Sequence, residues 1–192
     1  SGIAAVLTAL APALNMTPVL EGDKMIGLSG AMGSITLEPG GQVELSAAPR
    51  TDALQVAGDT ARFHAALADA AAELGLTFFA MGLRPCTAVP NVPLMPKARY
   101  EIMRSIMPTL GSRSLEMMFG TATIQANIDY ADEADFSEKF WLAGRASPIV
   151  AALYANSPYQ NGRRTGQMTG RYGIWDDTAT DRSGRFDFMI DE

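Results

Sequence analysis

The chain has 192 residues, 47% of them apolar, and a formal net charge of −6 from 15 Lys and Arg against 21 Asp and Glu. This length predicts one domain with a substantial core. The acidic balance argues against nucleic acid or an anionic membrane as the main partner, because both need a basic surface. A lone Cys86 and a single His argue against a disulfide framework and a structural zinc site. Together these features predict a cytoplasmic globular protein.

The first half of the chain predicts a helix, a group of short strands and a second helix. Apolar residues recur at helical spacing from Ile3 to Leu14, which favours a buried helix over a membrane span of about 20 apolar residues. Short runs separated by glycines between residues 17 and 46 predict antiparallel strands joined by tight turns. The alanine-rich stretch Asp52 to Leu74 predicts a helix that Gly75 ends.

The second half predicts two strands and two helices around a long loop. Thr77 to Met81 is expected to form a buried strand, and four prolines predict a loop from Arg84 to Pro96. Gly120 to Tyr130 alternates between polar and apolar residues, which is typical of a half-buried strand. One helix is expected over Asp132 to Gly144, and a second begins at Ser147 and Pro148. The mixture predicts an α+β fold with an antiparallel sheet.

The ends of the chain predict truncation. It begins without Met and ends at Glu192, directly after the strand-like segment 186–190. We therefore expect a single partial domain that is cut at both ends.

The segment Ser34 to Ser46 predicts a hairpin with one polar face. If residues 39–41 form the loop, Glu38 lies opposite Gln42 and Thr36 opposite Glu44, and opposed residues share a face. Two nearby carboxylates repel each other unless they are solvated, protonated or bridged by a cation. Carboxylate oxygens suit Mg²⁺, so Glu38, Gln42 and Glu44 are candidate metal ligands. An ordinary solvated sheet face is the alternative.

Two further groups of residues are candidates for ligand binding. Gln125 and Asn127 lie on the polar face of the predicted strand Gly120 to Tyr130, where they would form a polar floor. Arg99 follows the proline-rich loop, and Arg171 precedes Trp175. A guanidinium can bind a carboxylate or a phosphate through two hydrogen bonds. For either arginine, a surface ion pair is the alternative.

Five segments of the sequence resemble one enzyme family in order and spacing. They cover nearly the whole chain and are SITLEPGGQVELSAAP (34–49), MPKARYEIMRSIMP (95–108), IQANIDY (124–130), NSPY (156–159) and RYGIWDDTATDRSG (171–184). The family is the plant and proteobacterial type of glutamate–cysteine ligase.

The resemblance implies a partial glutamine-synthetase-like catalytic core, in which helices flank a curved and mainly antiparallel sheet. In this family ATP phosphorylates the γ-carboxylate of glutamate, and the amine of cysteine then displaces phosphate. ATP and Mg²⁺ are the implied cofactors, with glutamate, cysteine and ATP as small-molecule partners. The oligomeric state stays open, with a homodimer as one alternative.

The resemblance also implies roles for individual residues. Those implied to be catalytic are Glu38, Glu44 and Arg171, and the implied metal ligands are Glu38, Gln42 and Glu44. The implied substrate-binding residues are Arg99, Arg171, Gln125, Asn127, Tyr100 and Trp175.

The sequence also departs from the family pattern. The family usually has Arg and Cys at positions 120 and 122, His at 173 and Gly at 47, whereas this chain has Gly120, Ala122, Gly173 and Ala47. Parts of the family's chain before Ser1 and after Glu192 are not in this sequence. Two alternatives therefore stay open: a related γ-glutamyl ligase that uses another amine, and a non-catalytic binding module.

Overall fold

A helix and four strands form the start of the fold. The computed structural model describes residues 2–179, 181–184 and 188. The chain divides into two compact units, residues 1–80 with 93–103 and residues 81–92 with 104–192. That the two units together make up a single partial domain stays a prediction. Apart from Phe188, the strand-like segment 186–190 lies outside the described residues.

Helix α1 (Ile3–Leu14) confirms the first predicted helix. It buries Val6, Leu7, Leu10 and Leu14 along one stripe, at the spacing of an amphipathic helix. Full burial of a leucine side chain contributes about 1.5–3 kcal/mol, so this stripe holds α1 on the core. The helix ends where Asn15 takes a left-handed conformation, with φ of 52°.

The four strands form one antiparallel sheet, as predicted. They are β1 (Thr17–Glu21), β2 (Lys24–Gly30), β3 (Gly33–Leu37) and β4 (Val43–Ala47), and they lie side by side in chain order. Gly33 has φ of +116°, and a Cβ there would lie 2.1 Å from the Ser46 carbonyl oxygen. This position therefore requires glycine. The coarse prediction of an α+β fold with an antiparallel sheet is confirmed.

Helix α2 (Ala53–Leu74) closes the core of the first unit. Its N-terminus is capped by the Asp52 side chain, which accepts a hydrogen bond from the Gln55 N–H at 2.9 Å. Gly75 ends the helix with φ of +65°, as predicted. Phe63, on the inner face of α2, belongs to the core cluster that α1 and the sheet also form.

A buried ion pair ties α2 to the segment that precedes it. Arg50 Nε donates to Asp59 Oδ2 at 2.6 Å, and the Asp59 side chain is buried. The more exposed Arg62 lies 3.7 Å from the other carboxylate oxygen. A buried carboxylate needs such partners, because desolvation of an unpaired charge is costly.

The second unit consists of helices, loops and one short pair of strands. Helix α3 (Ala98–Ile106) starts in the first unit, and its residues from Arg104 onward belong to the second. The remaining elements are 3₁₀ helices at Val89–Asn91 and Met107–Thr109, helices α4 (Ser114–Gly120), α5 (Glu133–Leu153) and α6 (Gly170–Trp175), and strands β5 (Tyr159–Gln160) and β6 (Arg163–Arg164). Leu83, Phe119 and Ile174 are among its buried apolar residues. No helix in the described ranges is long and apolar enough to cross a bilayer.

Two predicted strands are wrong. Residues 76–81 and 122–130 have no regular secondary structure, and the side chains of Phe79 and Ile124 are 67% and 93% exposed. The backbone of a strand needs a neighbour to pair with. Within the described residues, the pairing near these segments is one bridge between Leu83 and Thr121. Alternation of polar and apolar residues was present, but a partner strand was not.

The two helices predicted after residue 131 are one helix. Helix α5 continues through Pro148 to Leu153, although proline lacks the N–H that an interior helical position donates. Its N-terminus is capped by Asp132, whose side chain accepts from the Asp135 N–H at 2.9 Å. Among the described residues, α5 has no buried side chain. The proline was therefore a misleading sign of a helix start.

We predict that Asp59→Ala destabilises the protein by about 2 kcal/mol, because it leaves the partly buried Arg50 guanidinium without its carboxylate. The free energy of unfolding from urea denaturation measures this. Asp69→Ala, on an exposed position of the same helix, is the matched control and should change stability by less than about 0.5 kcal/mol. Equal effects of the two substitutions would contradict a role for the ion pair.

Candidate functional site

The hairpin between β3 and β4 has the predicted register. Thr36 pairs with Glu44, and the Glu38 N–H donates to the Gln42 carbonyl at 2.9 Å. Because opposed residues share a face and successive residues alternate, these four side chains lie on one face. The other face carries the buried Ile35. The predicted polar face is confirmed.

Two of the three candidate metal ligands accept hydrogen bonds from within the hairpin itself. Gln42 Oε1 accepts from the Gly40 N–H at 2.9 Å, which closes the turn, and Glu44 Oε1 accepts from Ser46 Oγ at 2.9 Å. The third candidate is Glu38, which is half-buried at the start of the turn. No group of three or more His, Cys, Asp or Glu residues in the described part of the chain is arranged to hold a metal ion. The hairpin alone therefore offers two carboxylates to a cation.

The start of α3 packs against this hairpin. The Met95 N–H donates to the Pro39 carbonyl at 3.0 Å, which fixes the segment before the helix. In the first turn of α3, Tyr100 is only 1% exposed, and its hydroxyl donates to the Leu37 carbonyl at 2.6 Å. Tyr100 was predicted from the resemblance to bind substrate. The structure places it beneath the surface, as a support for its neighbours.

Arg99 lies over this buried tyrosine. Its Nη2 donates to the Tyr100 hydroxyl at 3.1 Å, and its guanidinium carbon is 4.9 Å from the centre of the ring. The same Nη2 is 4.0 Å from Glu38 Oε1. The hydrogen bond to Tyr100, more than the nearby carboxylates, raises the pKa of Arg99. Glu38, Arg99 and Tyr100 thus form one cluster in the first unit.

Lys97 is part of this cluster, and the sequence analysis missed it. It is only 7% exposed, and its Nζ donates to the Tyr100 hydroxyl at 3.3 Å. Burial and then repulsion by Arg99 lower the pKa of Lys97. The sequence signal that could have indicated Lys97 is its position between Pro96 and Arg99, in a segment where Arg99 was already a candidate for ligand binding.

In the second unit, the segment that contains NSPY holds the start of α6. The Arg171 N–H donates to Ser157 Oγ at 3.1 Å, and the Gly170 N–H donates to the Ser157 carbonyl at 3.0 Å. Asn156 Oδ1 accepts from the Gly82 N–H at 2.9 Å. These bonds fix the backbone from which the Arg171 side chain extends.

The Arg171 guanidinium is held without a carboxylate partner. Its Nε is buried and has no hydrogen-bond partner, and no carboxylate in the described part of the chain lies within 4.0 Å of it. The guanidinium carbon lies 5.4 Å from the centre of the Trp175 ring. Burial lowers the pKa of Arg171, because nothing nearby compensates its charge. This arrangement suits a negatively charged ligand.

Gly82 is a second residue that sequence reasoning missed. A Cβ at this position would lie 2.7 Å from Asn156 Oδ1 and 3.4 Å from Arg171 Cδ. Glycine therefore allows the Asn156 carboxamide and the Arg171 stem to approach the backbone. Only the three-dimensional contacts reveal this, because the residues are far apart in the sequence.

The predicted polar floor is not formed as a strand. Gln125 and Asn127 are exposed in the irregular segment 122–130, where Gln125 Nε2 donates to Asn127 Oδ1 at 2.8 Å. Neither has a described contact with Arg171. Their role in substrate binding stays a prediction.

The chain is similar to known proteins along nearly its whole length. A sequence model of the family described as glutamate-cysteine ligase family 2 matches residues 2–192. Over 190 residues the chain is 41% identical to a protein named glutamate–cysteine ligase, chloroplastic, from Solanum lycopersicum. Proteins of the same name from Brassica juncea and Arabidopsis thaliana are 42% and 40% identical over 190 residues.

These similarities cover 99% of the chain and only 36–37% of each relative. The chain thus spans just over a third of the length of these relatives. The names of these relatives therefore describe proteins that are considerably longer than this chain.

We predict that Tyr100→Phe destabilises the protein by about 1–3 kcal/mol, because it leaves the Leu37 carbonyl and the buried Lys97 ammonium without their partner. Chemical denaturation followed by circular dichroism measures the change. Tyr154→Phe, on an exposed side chain, is the control and should change stability by less than about 0.5 kcal/mol. An unchanged stability of Tyr100→Phe would show that the hydroxyl network contributes nothing.

Proposed function

Because the chain belongs to the glutamate–cysteine ligase family 2, we propose that it functions as an ATP-dependent ligase that joins glutamate to cysteine. The γ-phosphoryl group of ATP is transferred to the γ-carboxylate of glutamate, and ADP leaves. The amine of cysteine then attacks the acyl phosphate, loses a proton and displaces phosphate. The product is γ-glutamylcysteine, the first intermediate of glutathione biosynthesis.

The observation that carries this proposal is the buried, unpartnered Nε of Arg171. A polar N–H that is removed from water without a hydrogen bond costs free energy. A carboxylate that binds side-on to the guanidinium accepts from Nε and from one Nη, and it also neutralises the charge. Arg171 is therefore assigned to a carboxylate of glutamate, with Trp175 as the aromatic wall beside it.

Arg99 is assigned to a second anionic group of the substrates. Its side chain is 64% exposed, and one of its five N–H donors is used on Tyr100. The other donors are available to a carboxylate or a phosphate. Glu38, 4.0 Å from Nη2, keeps the guanidinium near the polar face of the hairpin until such a group binds.

The hairpin carboxylates fit a partial Mg²⁺ site. Mg²⁺ is commonly held by one or two carboxylates, with waters and substrate phosphates as the other ligands. Glu38 and Glu44 share one face of the hairpin and lie near its turn. Gln42 is the third assigned ligand, and its Oε1 also accepts from the Gly40 N–H. When bound, the metal would neutralise charge on the phosphates of ATP.

The roles of the chain's own residues follow from this arrangement. Glu38 and Glu44 would hold the cation, which would supply charge neutralisation to the nucleotide phosphates, and Arg171 binds a carboxylate of glutamate. Phosphoryl transfer depends chiefly on positioning and charge neutralisation. We also assign the chain to a partial glutamine-synthetase-like core with a curved sheet, and we place Gln125 and Asn127 in the substrate site.

Location and assembly belong to the same proposal. We place the protein in the cytoplasm, on the evidence of its composition and its single unpaired Cys86. The named plant relatives are chloroplastic. A homodimer stays the alternative to a monomer.

A related ligase that uses another amine is the second candidate. Gly173 lies next to Arg113, whose Nη1 is 3.7 Å from the position that a Cβ would take. The family usually has His at this position, so the surroundings of α6 differ here from the common pattern. The mass of the product formed from a mixture of amines separates the two candidates.

We predict that Arg171→Lys weakens binding of L-glutamate about tenfold or more, because a lysine cannot form the paired hydrogen bonds of a guanidinium. The loss of a charged hydrogen bond of about 1.5 kcal/mol corresponds to this factor. Isothermal titration calorimetry with glutamate measures the dissociation constant.

The matched control is Arg104→Lys, an exposed position on α3, which should leave glutamate affinity within about twofold. Thermal unfolding of each variant checks that the fold is intact. If Arg171→Lys and Arg104→Lys bind glutamate equally well, Arg171 is not the carboxylate ligand.

A further inference from the structure

We propose that Lys97 is a positioning residue that acts through Tyr100 to hold the Arg99 guanidinium in its ligand-binding orientation. This inference rests on the proposed function, in which Arg99 binds an anionic group of a substrate. Lys97 itself touches neither substrate nor metal in this proposal.

The first step is the position of the Lys97 ammonium. Lysine is seldom buried unless its charge is paired, yet Lys97 is 7% exposed and has no carboxylate within 4.0 Å among the described residues. Its polar contact is the Tyr100 hydroxyl, 3.3 Å from Nζ, and the ammonium lies 5.3 Å from the centre of the same ring. Because both contacts are to Tyr100, the buried Lys97 ammonium interacts chiefly with this tyrosine.

The second step is the hydrogen-bond accounting of the Tyr100 hydroxyl. A phenol has one proton to donate and two lone pairs that accept. The proton goes to the Leu37 carbonyl at 2.6 Å, and the lone pairs face Lys97 Nζ and Arg99 Nη2 at 3.3 and 3.1 Å. Since both cations can only donate, they direct the phenol proton toward Leu37. Glu38 Oε1 lies 3.5 Å from the Tyr100 hydroxyl. With the phenol proton on Leu37, this carboxylate oxygen can interact with Arg99 and with ligands.

The third step is the effect on Arg99. A solvent-exposed arginine ordinarily samples many rotamers, and binding must then overcome the loss of that side-chain entropy. Arg99 instead has a hydrogen bond to the hydroxyl and a stacking contact with the ring, both on a side chain that is itself fixed. When Lys97 is absent, the phenol proton can turn to Glu38. The hydroxyl then loses its bond to Leu37, and the support of Arg99 becomes mobile.

The charges around Lys97 make this support sensitive to pH. From the hairpin it faces Glu38 and Glu44, from β1 Glu21, and from α3 Arg99 and Tyr100. Burial and Arg99 lower the pKa of Lys97 below that of an ordinary lysine, while burial raises the pKa of Tyr100. As pH rises, Lys97 therefore loses its proton at a lower pH than an ordinary lysine does.

The experiment is a double-mutant cycle on glutamate affinity with Lys97→Met, Tyr100→Phe and the double variant, measured by calorimetry. Lys97→Met should weaken binding about tenfold, which corresponds to one charged hydrogen bond. In the Tyr100→Phe background, the same substitution should change affinity by less than about twofold. Lys24→Met, an exposed lysine on β2, is the matched control and should have no effect.

A conservative variant separates positioning from packing. Lys97→Arg keeps a permanent cation, so it should keep affinity within about threefold and remove the loss of affinity that we expect of the wild-type protein as pH rises. Lys97→Gln replaces Lys97→Met if the latter fails to fold. An equal loss of glutamate affinity for Lys97→Met in the wild-type and Tyr100→Phe backgrounds would overturn the proposal. A pH profile of glutamate affinity that Lys97→Arg leaves unchanged would also overturn it.

A second readout keeps this inference distinct from the proposed function. The ¹⁵Nε relaxation of Arg99 reports the mobility of its side chain without any ligand. We expect a rigid Arg99 in the wild-type protein and a mobile one in Lys97→Met. If the wild-type protein does not bind glutamate but Arg99 shows this change, the positioning is supported and the substrate assignment fails. If Arg99 is equally mobile in both proteins, the positioning is refuted.

Discussion

One buried hydroxyl group connects the helical and the sheet parts of the first unit at its polar end. Tyr100 donates to the last carbonyl of β3 and accepts from two cations. A phenol can satisfy no more than these three bonds, so its position fixes where Lys97 and Arg99 lie. The same bonds set the distance from Arg99 to Glu38. The positions of Lys97, Arg99 and Glu38 are therefore linked through a group that is itself hidden from solvent.

The two arginines assigned to substrates are prepared for anions in different ways. Arg99 is exposed and is held by hydrogen bonding and stacking, with the Glu38 carboxylate nearby. Arg171 is half-buried and has a buried Nε with no partner. An anion that reaches Arg99 competes with Glu38 and with water, whereas an anion at Arg171 fills a deficit that the fold has created. We therefore expect Arg171 to provide more affinity than Arg99, and both to contribute to binding.

Local signals predicted the parts of the fold that depend on neighbouring residues. Helix α2 has its cap at Asp52 and its end at Gly75, and the β3–β4 hairpin has the expected register, because both follow from short-range geometry. The strand predicted over Gly120 to Tyr130 was wrong, since alternation describes side-chain polarity and cannot supply a partner strand. The network around Lys97 could not be predicted either. It depends on a contact between α3 and β3, whose residues lie about 60 positions apart in the chain.

We propose that these residues belong to an enzyme that activates glutamate with ATP. The most direct measurement is ADP release by the natural full-length protein, with each substrate omitted in turn and the product identified by mass. We expect release that requires glutamate, Mg²⁺ and cysteine together, forms γ-glutamylcysteine and is lost in Arg171→Ala. ADP release that is independent of glutamate, or no turnover with any amine, would contradict it.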